Sequence, residues 1–355
     1  MQNNKKRTGW IALISVLTAI LLVVVVAIAY YNSKLNLIHY DDGSREIDTS
    51  TSYPVDNDEL DIGDLPDAPE GEDGTIEILD GDIYSDRNVT NILLLGTDER
   101  TDEFSDNARA DSIMVLSLNT KDHTMKLVSI ERGIGVPIPG RNDDWLTHTF
   151  RYGGAALTMQ TVRDCFKLDI DRYVRVNFYA FEKAIDTIGG IDIEITQEEA
   201  DGLNGKVRTN ATAEQEVVAG INHLNGHDAL AYSRIRYIDS DWKRIERQRK
   251  VIQAAIDQVK NADIATLNAL ADEILPMVQT NLTKAEITSL LLEMPSFISA
   301  GAQMEQMTIP TYETCWNSVG VDGRKMIGVD FEANAKILRE FFYGENYAEE
   351  QTNGS

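Results

Sequence analysis

The residues best suited to chemistry in this chain lie in one basic stretch, 231–251. The chain has 355 residues and a formal net charge of −25, yet this stretch contains five arginines and two lysines. Arginine grips phosphate well because its planar fork offers paired donors to two oxygens at once. Arg234 and Arg236 are two residues apart, so an extended backbone would point both side chains the same way. Charge density alone also fits a solvent-exposed basic helix, which leaves two interpretations open.

Helical phase favours a binding surface over an exposed helix. An advance of about 100° per residue from Asp241 puts an isoleucine-rich face on one side and a lysine-rich face on the other. Asp241, Arg244 and Gln248 continue the apolar face toward the N-terminus, and Arg247 lies on its flank. Charged residues on a core-facing stripe are costly unless they are paired or line a polar cavity. The stretch therefore predicts one wall of an anion-binding pocket.

Strands and helices that could position these residues alternate along the chain. Apolar strand-like runs occupy 89–96, 111–120 and 124–132, and Asp98 follows the glycine that closes the first run. Ligands in open α/β sheets bind just outside the carboxyl ends of strands. The remaining pattern predicts helices at 153–168, 178–190, 262–275, 284–299 and 331–343, and strands at 173–178, 191–195 and 304–310. This alternation predicts an α/β fold with a largely buried sheet and helices on both faces.

The N-terminal region predicts a membrane anchor. Residues 10–31 form an uncharged apolar run of about 22 residues, and about 20 are needed to cross a bilayer. Because basic residues precede this run, the positive-inside rule puts residues 1–9 in the cytoplasm and the rest of the chain outside. A cleaved signal peptide with an A-x-A site at 27–29 is the alternative. Either way, the main domain is expected to be extracytoplasmic.

The rest of the chain divides into a linker, one large domain and a tail. The window 41–86 contains 17 acidic residues and one arginine, so residues 32–88 are expected to form an extended acidic linker. Residues 89–343 are expected to form the catalytic domain, and 344–355 a disordered tail. The strongly negative net charge argues against a nucleic-acid partner, because phosphate backbones repel such a chain.

Several of these segments together resemble the LytR–CpsA–Psr family. NILLLGTDER, KLVSIERGIGVPIPG and INHLNGHDALAYSRIRYIDSDWKRIERQRKV occur in the family's order, and the similarity covers roughly 89–260. The resemblance implies a membrane-anchored phosphotransferase that moves an anionic glycopolymer, such as a teichoic acid or a capsule, from a polyprenyl diphosphate carrier to peptidoglycan. It also implies an α/β/α sandwich around a central mixed sheet, with the lipid in an apolar pocket beside a diphosphate site.

The resemblance also implies which residues bind and react. The expected catalytic residues are Asp98, Arg109, Asp111, Arg132 and Arg236. The expected diphosphate-binding residues are Arg100, Arg109, Arg132, Arg234, Arg236, Asp241, Arg244, Arg247 and Gln248. Asp98 and Asp111 would hold Mg²⁺, a hard cation that keeps several of its waters. The chain departs from the family pattern at Ala110, where Ser or Thr is usual, and at Glu131 and Gly133, which replace a proline and an aspartate around Arg132.

Such a set of residues would act by electrostatic stabilisation. Several arginines with Mg²⁺ can stabilise the charge that develops on a transferring phosphoryl group, with no covalent step by the protein. Asp98 or Asp241 could act as the general base. Simpler roles are a loop cap for Asp98 and an ion pair with Arg109 for Asp111. Two other functions remain open, namely a polyprenyl-diphosphate hydrolase and a non-catalytic binder or regulator that senses lipid-linked wall precursors.

The chain has two cysteines, Cys165 and Cys315. In an extracytoplasmic protein an isolated pair can form a disulfide. The alternative is two buried free thiols, and the sequence leaves both open. No G-x-S-x-G, Walker-type or zinc-binding motif is present.

Overall fold

A computed structural model of the chain describes residues 29–51, 65–69, 76, 79–299, 304–344 and 347. The predicted anchor at 10–31 lies almost entirely outside these residues, as do residues 1–9, much of the predicted linker and most of the tail. Residues 29–35 are helical. Within the described ranges, no helix combines the length and the apolar character needed to span a bilayer.

The fold is organised around a mixed seven-stranded sheet. The strands in chain order are β1 (His39–Tyr40), β2 (Val89–Thr97), β3 (Ala110–Asn119), β4 (Thr124–Ile130), β5 (Gly135–Val136), β6 (Asp144–Trp145), β7 (Arg172–Asn177), β8 (Ile191–Ile195), β9 (Gly220–Leu224), β10 (Val278–Thr280), β11 (Met304–Ile309), β12 (Cys315–Val319) and β13 (Lys325–Val329). The sheet order is β1-β10-β7-β2-β3-β4-β11, and the other strands form two-stranded ribbons. At its centre β2 pairs parallel with β7 and antiparallel with β3. The predicted α/β class with a central mixed sheet is confirmed.

Eight helices with described bounds flank the sheet and its ribbons. They are α1 (Leu146–Phe166), α2 (Phe178–Thr187), α3 (Gln197–Leu203), α4 (Gly226–Arg234), α5 (Asp241–Lys260), α6 (Ile264–Ile274), α7 (Lys284–Ser299) and α8 (Phe331–Tyr343). Short 3₁₀ turns occupy Leu275–Met277 and Tyr312–Thr314. Helix α1 has a kink at Gly153 and Gly154, where the backbone leaves helical geometry. This kink coincides with the predicted start of the helix at 153.

The two faces of the sheet are covered differently. On one face, alternate residues such as Leu93, Val115 and Val128 pack into a continuous core with α1 and α8, including Phe166 and Leu338. The helices α2 to α5 and the β8–β9 ribbon form a second core of their own. This second layer covers the opposite face of the sheet but leaves a cavity of about 340 Å³ between them, which we call the sheet cavity.

Part of the predicted linker is packed on the domain. Strand β1 extends the edge of the central sheet beside β10. The Asp48 N–H donates to the carbonyl of Tyr152 at 2.9 Å, and the Arg45 side chain donates to the carbonyl of Arg151 at 2.7 Å. The acidic composition of 32–88 predicted an extended tether throughout, but several backbone groups of residues 39–51 hydrogen-bond to the domain. The linker prediction therefore does not describe this part of the chain.

The two cysteines are free and buried, in α1 and at the start of β12. Burial raises the pKa of each thiol to about 12. Of the two alternatives that the sequence left open, the disulfide is not formed.

Candidate active site

Helix α5 forms the wall of the site that its phase predicted. Asp241 and Arg244 are buried, as is Val251 on the same side of the helix. Arg244, Gln248 and Val251 line the sheet cavity. Lys243 on the opposite side is 58% exposed and pairs with Glu246 one turn along. The fold therefore places the charged residues Asp241 and Arg244 of α5 on its buried side, as helical phase predicted.

Arg234 and Arg236 line the same cavity from the segment between α4 and α5. Arg234 is the last residue of α4, and Ile235 then adopts φ −51° and ψ 130°, so the extended step predicted for this pair is present. The Arg234 guanidinium stacks 4.7 Å from the Phe178 ring centre. Burial, followed by repulsion from Arg132 and Arg244, lowers the pKa of Arg236 to about 10. Arg236 is therefore still a cation at neutral pH.

Arg247 is oriented away from the sheet cavity. Its Nη1 and Nη2 donate to the two oxygens of Asp239 at 2.6 and 2.8 Å, and Nη2 also donates to the carbonyl of Ile235 at 2.9 Å. Glu199 of α3 lies 3.6 Å from the same guanidinium. Arg247 thus ties the turn that carries Arg236 to α5, and its predicted contact with diphosphate remains a prediction.

Asp111 of β3 is the carboxylate in the cavity wall. Its Oδ1 accepts a hydrogen bond from Arg132 Nη1 at 3.2 Å. Burial acts to raise the pKa of Asp111, but Arg132, Arg109, Arg236 and Arg244 together hold it below its ordinary value. Asp111 is therefore ionised, and its strongest partner is Arg132 rather than the Arg109 of the simpler alternative.

Asp98 lies in the loop after β2 and fulfils the loop-cap role. It accepts hydrogen bonds from the Arg109 backbone N–H at 3.0 Å and from Arg109 Nε at 3.3 Å. Burial raises the pKa of Asp98, and the negative charges of Asp111 and Glu99 add to this, while the Arg109 N–H opposes it. Asp98 itself is not among the residues that line the sheet cavity, whereas Asp111 is.

Arg132 and Arg100 complete the predicted set. Arg132 follows β4, is fully buried, and lies 3.7 Å from Asp241 Oδ2 through its Nε. Asp241 also lies 3.4 Å from Arg244, so it is shared by two guanidinium groups. Arg100 is exposed and lines a neighbouring polar cavity of about 320 Å³ together with Arg234 and His227. Arg234 therefore lies in the walls of two adjacent cavities.

The sequence did not predict a buried ion pair between Arg175 and Glu99 next to the loop that carries Asp98. Arg175 of β7 pairs with Glu99 and donates to the Ser105 carbonyl at 3.1 Å, so it fixes the loop that carries Asp98. Alternation along β7 could have revealed it. Val174 and Val176 line the cavity, so the residue between them must face the other side of the sheet.

Glu131 is one of the departures from the family pattern, and the structure shows an environment for it that the sequence did not predict. It is completely buried beside Arg132, whose backbone N–H donates to Glu131 Oε2 at 2.9 Å. Sequence spacing alone gave this glutamate no predicted role.

The chain is similar to a known protein family and to several named relatives. The LytR_cpsA_psr family model matches residues 67–341. A relative from Bacillus subtilis (strain 168), the polyisoprenyl-teichoic acid–peptidoglycan teichoic acid transferase TagT, is 31% identical over 225 residues, which are 62% of this chain and 68% of the relative. The transferase of the same description, TagU, from Oceanobacillus iheyensis is 34% identical over 218 residues, 59% of this chain and 64% of the relative. The chain thus spans about two thirds of the length of these relatives.

A solved structure described as TagT bound to LI-WTA is also similar. It superposes with a TM-score of 0.57 at 25% sequence identity, over 76% of this chain and 98% of that chain. The shared fold therefore extends over nearly the whole of that structure.

Proposed function

The chain belongs to the LytR_cpsA_psr family, and we propose that it transfers an anionic glycopolymer of the teichoic acid class from a polyprenyl diphosphate carrier to peptidoglycan. The observation that carries this proposal is an apolar cavity with arginines in its wall. The relatives named as teichoic acid transferases support the class of donor and acceptor. The reaction is transfer of a phosphorus-containing group, so the chain is a transferase.

The apolar part of the sheet cavity suits a polyprenyl chain. Leu94, Met114 and Val176 contribute from the sheet, and Phe181 and Ile252 contribute from α2 and α5. A methyl-branched hydrocarbon gains about 25 cal/mol for each Å² of apolar surface that it buries. Gly96 also lines the cavity, and a Cβ at this position would lie 2.9 Å from Ser112 Cβ on the neighbouring strand. Burial of the tail would hold the lipid while its headgroup reacts.

The cationic part of the cavity suits the diphosphate. Arg234, Arg236 and Arg244 are in its wall with the amide of Gln248. A diphosphate diester carries two negative charges, and guanidinium groups offer it paired hydrogen bonds. Within the described residues Arg234 stacks on Phe178 but has no carboxylate partner, so an incoming phosphate would meet a cation that is not yet neutralised. Asp241 lies 3.4 Å from the Arg244 guanidinium and so helps to fix its position.

The chemistry proposed for this site is electrostatic. A sugar hydroxyl of the acceptor attacks phosphorus, and the polyprenyl phosphate leaves with the electron pair of the broken P–O bond. The arginines stabilise the charge on the non-bridging oxygens. We prefer Asp98 to Asp241 as the acceptor of the hydroxyl proton, because burial and neighbouring carboxylates raise the pKa of Asp98, whereas Asp241 is already shared by the guanidinium groups of Arg132 and Arg244. Arg109 fixes the orientation of Asp98.

Asp98 and Asp111 would hold Mg²⁺ in this proposal. The fit rests on the chemistry of the two donors, because carboxylate oxygens are the ligands that this ion prefers, and on the negative charge of Asp111, which contributes to the raised pKa of Asp98. No cluster of three or more acidic, histidine or cysteine ligands occurs in the described part of the chain. Such a two-carboxylate site suits Mg²⁺, which commonly binds through one or two carboxylates with water and substrate phosphates. When bound, the ion would neutralise charge on the diphosphate.

The location proposed for this activity is the outer face of the cell membrane. Residues 10–31 would anchor the chain as a single-pass protein, with residues 1–9 in the cytoplasm. The substrate would then be met in the leaflet where its polyprenyl tail is embedded.

A transfer assay tests the proposal directly. The full chain is incubated with a labelled lipid-linked teichoic acid precursor, peptidoglycan oligosaccharide and Mg²⁺, and label on the oligosaccharide is measured. We expect transfer by the wild type, a loss of about a hundredfold or more in Asp98→Ala and Arg236→Ala, and normal transfer by Arg249→Ala, whose side chain lies outside the sheet cavity. Release of glycan phosphate without acceptor would instead indicate a hydrolase. Lipid binding without turnover would indicate a non-catalytic binder.

A further inference from the structure

Glu131 is a completely buried carboxyl group at the edge of the arginine cluster. It follows the last residue of β4, and its side chain is 0% exposed. Its Oε2 accepts the Arg132 backbone N–H at 2.9 Å, whereas its Oε1 accepts no hydrogen bond within the described residues. Its backbone N–H donates to the Ile309 carbonyl at 2.9 Å, which fixes it between β4 and β11. A carboxylate oxygen without a donor is costly in such a place.

The groups that face Glu131 are mostly charged. Asp241 of α5 repels its negative form, Arg244 of α5 and its neighbour Arg132 attract it, and the Cys315 thiol of β12 also senses its charge. The same two guanidinium groups already serve Asp241, at 3.4 and 3.7 Å, and Arg132 serves Asp111 at 3.2 Å. Arg132 and Arg244 therefore already interact with other carboxylates, and an ionised Glu131 would add a further negative charge beside them.

We propose that Glu131 is a positioning residue that takes up a proton when the sheet cavity binds an anionic headgroup. Arg244 lines the sheet cavity, and an ionised Glu131 would offset part of the positive charge that this guanidinium presents to an anion, whereas a protonated Glu131 would not. Coupling of this kind is reciprocal, so a bound anion raises the proton affinity of Glu131 by the same factor that the proton raises anion affinity. Glu131 acts through the arginines and does not touch the substrate. The inference rests on the proposed diphosphate site.

The resting protonation of Glu131 is consistent with this coupling. Burial, followed by repulsion from Asp241, raises the pKa of Glu131 to about 7, against the attraction of Arg244 and Arg132. Its charge state therefore changes near neutral pH, and anion affinity should fall as the pH rises through this range.

Binding measurements at two pH values test the proposal. The probe is farnesyl diphospho-N-acetylglucosamine, a diphosphate diester whose phosphates stay fully ionised across the range. The full chain in detergent is titrated calorimetrically at roughly pH 5.5 and roughly pH 8.5, where a buried carboxyl of this kind changes charge. We expect Kd to rise by about tenfold for the wild type, which lies within the usual range of coupling between sites. Glu131→Gln, which mimics the protonated form, should bind equally at both pH values and as tightly as the wild type at low pH.

A matched control and a second readout complete the test. Glu305→Gln, an exposed position on β11, should keep the wild-type pH dependence. Near neutral pH the wild type should take up protons on binding, measured in buffers of different ionisation enthalpy, and Glu131→Gln should not. Unchanged pH dependence in Glu131→Gln, or no proton uptake by the wild type, overturns the proposal.

Infrared spectroscopy keeps the inference separate from the proposed function. The wild type should show a protonated carboxyl band that is lost as the pH rises through neutrality, and Glu131→Gln should lack this band. If the wild type binds no probe at either pH, the diphosphate site is wrong and the coupling falls with it. If the probe binds but the carboxyl band is missing, only the role of Glu131 is refuted. Should Glu131→Gln fail to fold, the absence of proton uptake or of the carboxyl band in the wild type still refutes the role of Glu131.

Discussion

Replacement of Arg247 by methionine tests whether this residue holds the site together or binds its ligand. The guanidinium makes hydrogen bonds to Asp239 and to the Ile235 carbonyl and lies 3.6 Å from Glu199, which is almost fully buried. Methionine fills similar space but leaves both carboxylates without their cation. Breaking a buried ion pair by removing one partner costs about 3–5 kcal/mol. Because the Asp239 side chain is 26% exposed, the lower end, about 3 kcal/mol, is the better expectation.

Urea unfolding and diphosphate binding together give the answer. Lys250→Met is the matched control, because Lys250 is exposed on the same helix, lies outside the sheet cavity, and should change stability by no more than about 0.5 kcal/mol. Arg244→Met is the second comparison, since Arg244 lines the cavity. At a temperature where all variants are folded, diphosphate affinity should fall less in Arg247→Met than in Arg244→Met. An Arg247→Met protein of wild-type stability that binds as poorly as Arg244→Met would refute the reasoning.

Three further predictions address the cavity, the buried glutamate and the cysteines. Val176→Trp should fill the apolar part of the sheet cavity and abolish retention of polyprenyl phosphate measured by mass spectrometry, whereas tryptophan at the exposed Ile221 should not. Because the folded-state pKa of Glu131 lies above its unfolded value, this residue costs stability as the pH rises from about 4.5 to about 7. Glu131→Gln should therefore gain up to about 3 kcal/mol over the wild type across that window, measured by urea unfolding at each pH, and an equal stability difference at every pH would contradict this. Cys165 and Cys315 should resist alkylation in the native protein and react only on unfolding, so rapid labelling of either thiol would show that it is not buried.

Helical phase predicted the reactive face of α5 well because polar residues interrupt an otherwise apolar stripe. Asp241, Arg244 and Gln248 are where a period of 3.6 residues puts them, and two of the three line the sheet cavity. The same argument left Arg247 on the flank and could not settle its direction. Its partners Asp239 and Glu199 come from a turn and from α3, and no local pattern links these positions to α5.

The central strands were predictable and the sheet edges were not. Strands β2, β3 and β4 are long apolar runs, and their bounds agree with the prediction to within a residue or two. Strands β1 and β10 have only two and three residues, too few for an alternating pattern to appear. Their pairing depends on backbone hydrogen bonds, which carry little signal in the identity of the side chains. For the same reason, acidic composition did not predict the contacts of residues 39–51 with the domain.

The charge distribution explains how a strongly acidic chain can present a cationic pocket. Asp111 and Asp241 neutralise part of the arginine cluster from the protein side, so Arg132 and Arg244 are tolerated in burial. Arg234 differs, since it has an aromatic ring beneath it and no carboxylate partner among the described residues. It also lies between the apolar sheet cavity and the polar cavity lined by Arg100. A ligand with a hydrocarbon tail, a diphosphate and a sugar changes from apolar to polar along its length. The cavity walls change from apolar to polar at Arg234 in the same way. The position of Arg234 therefore favours such a ligand over a simple lipid or a free phosphate.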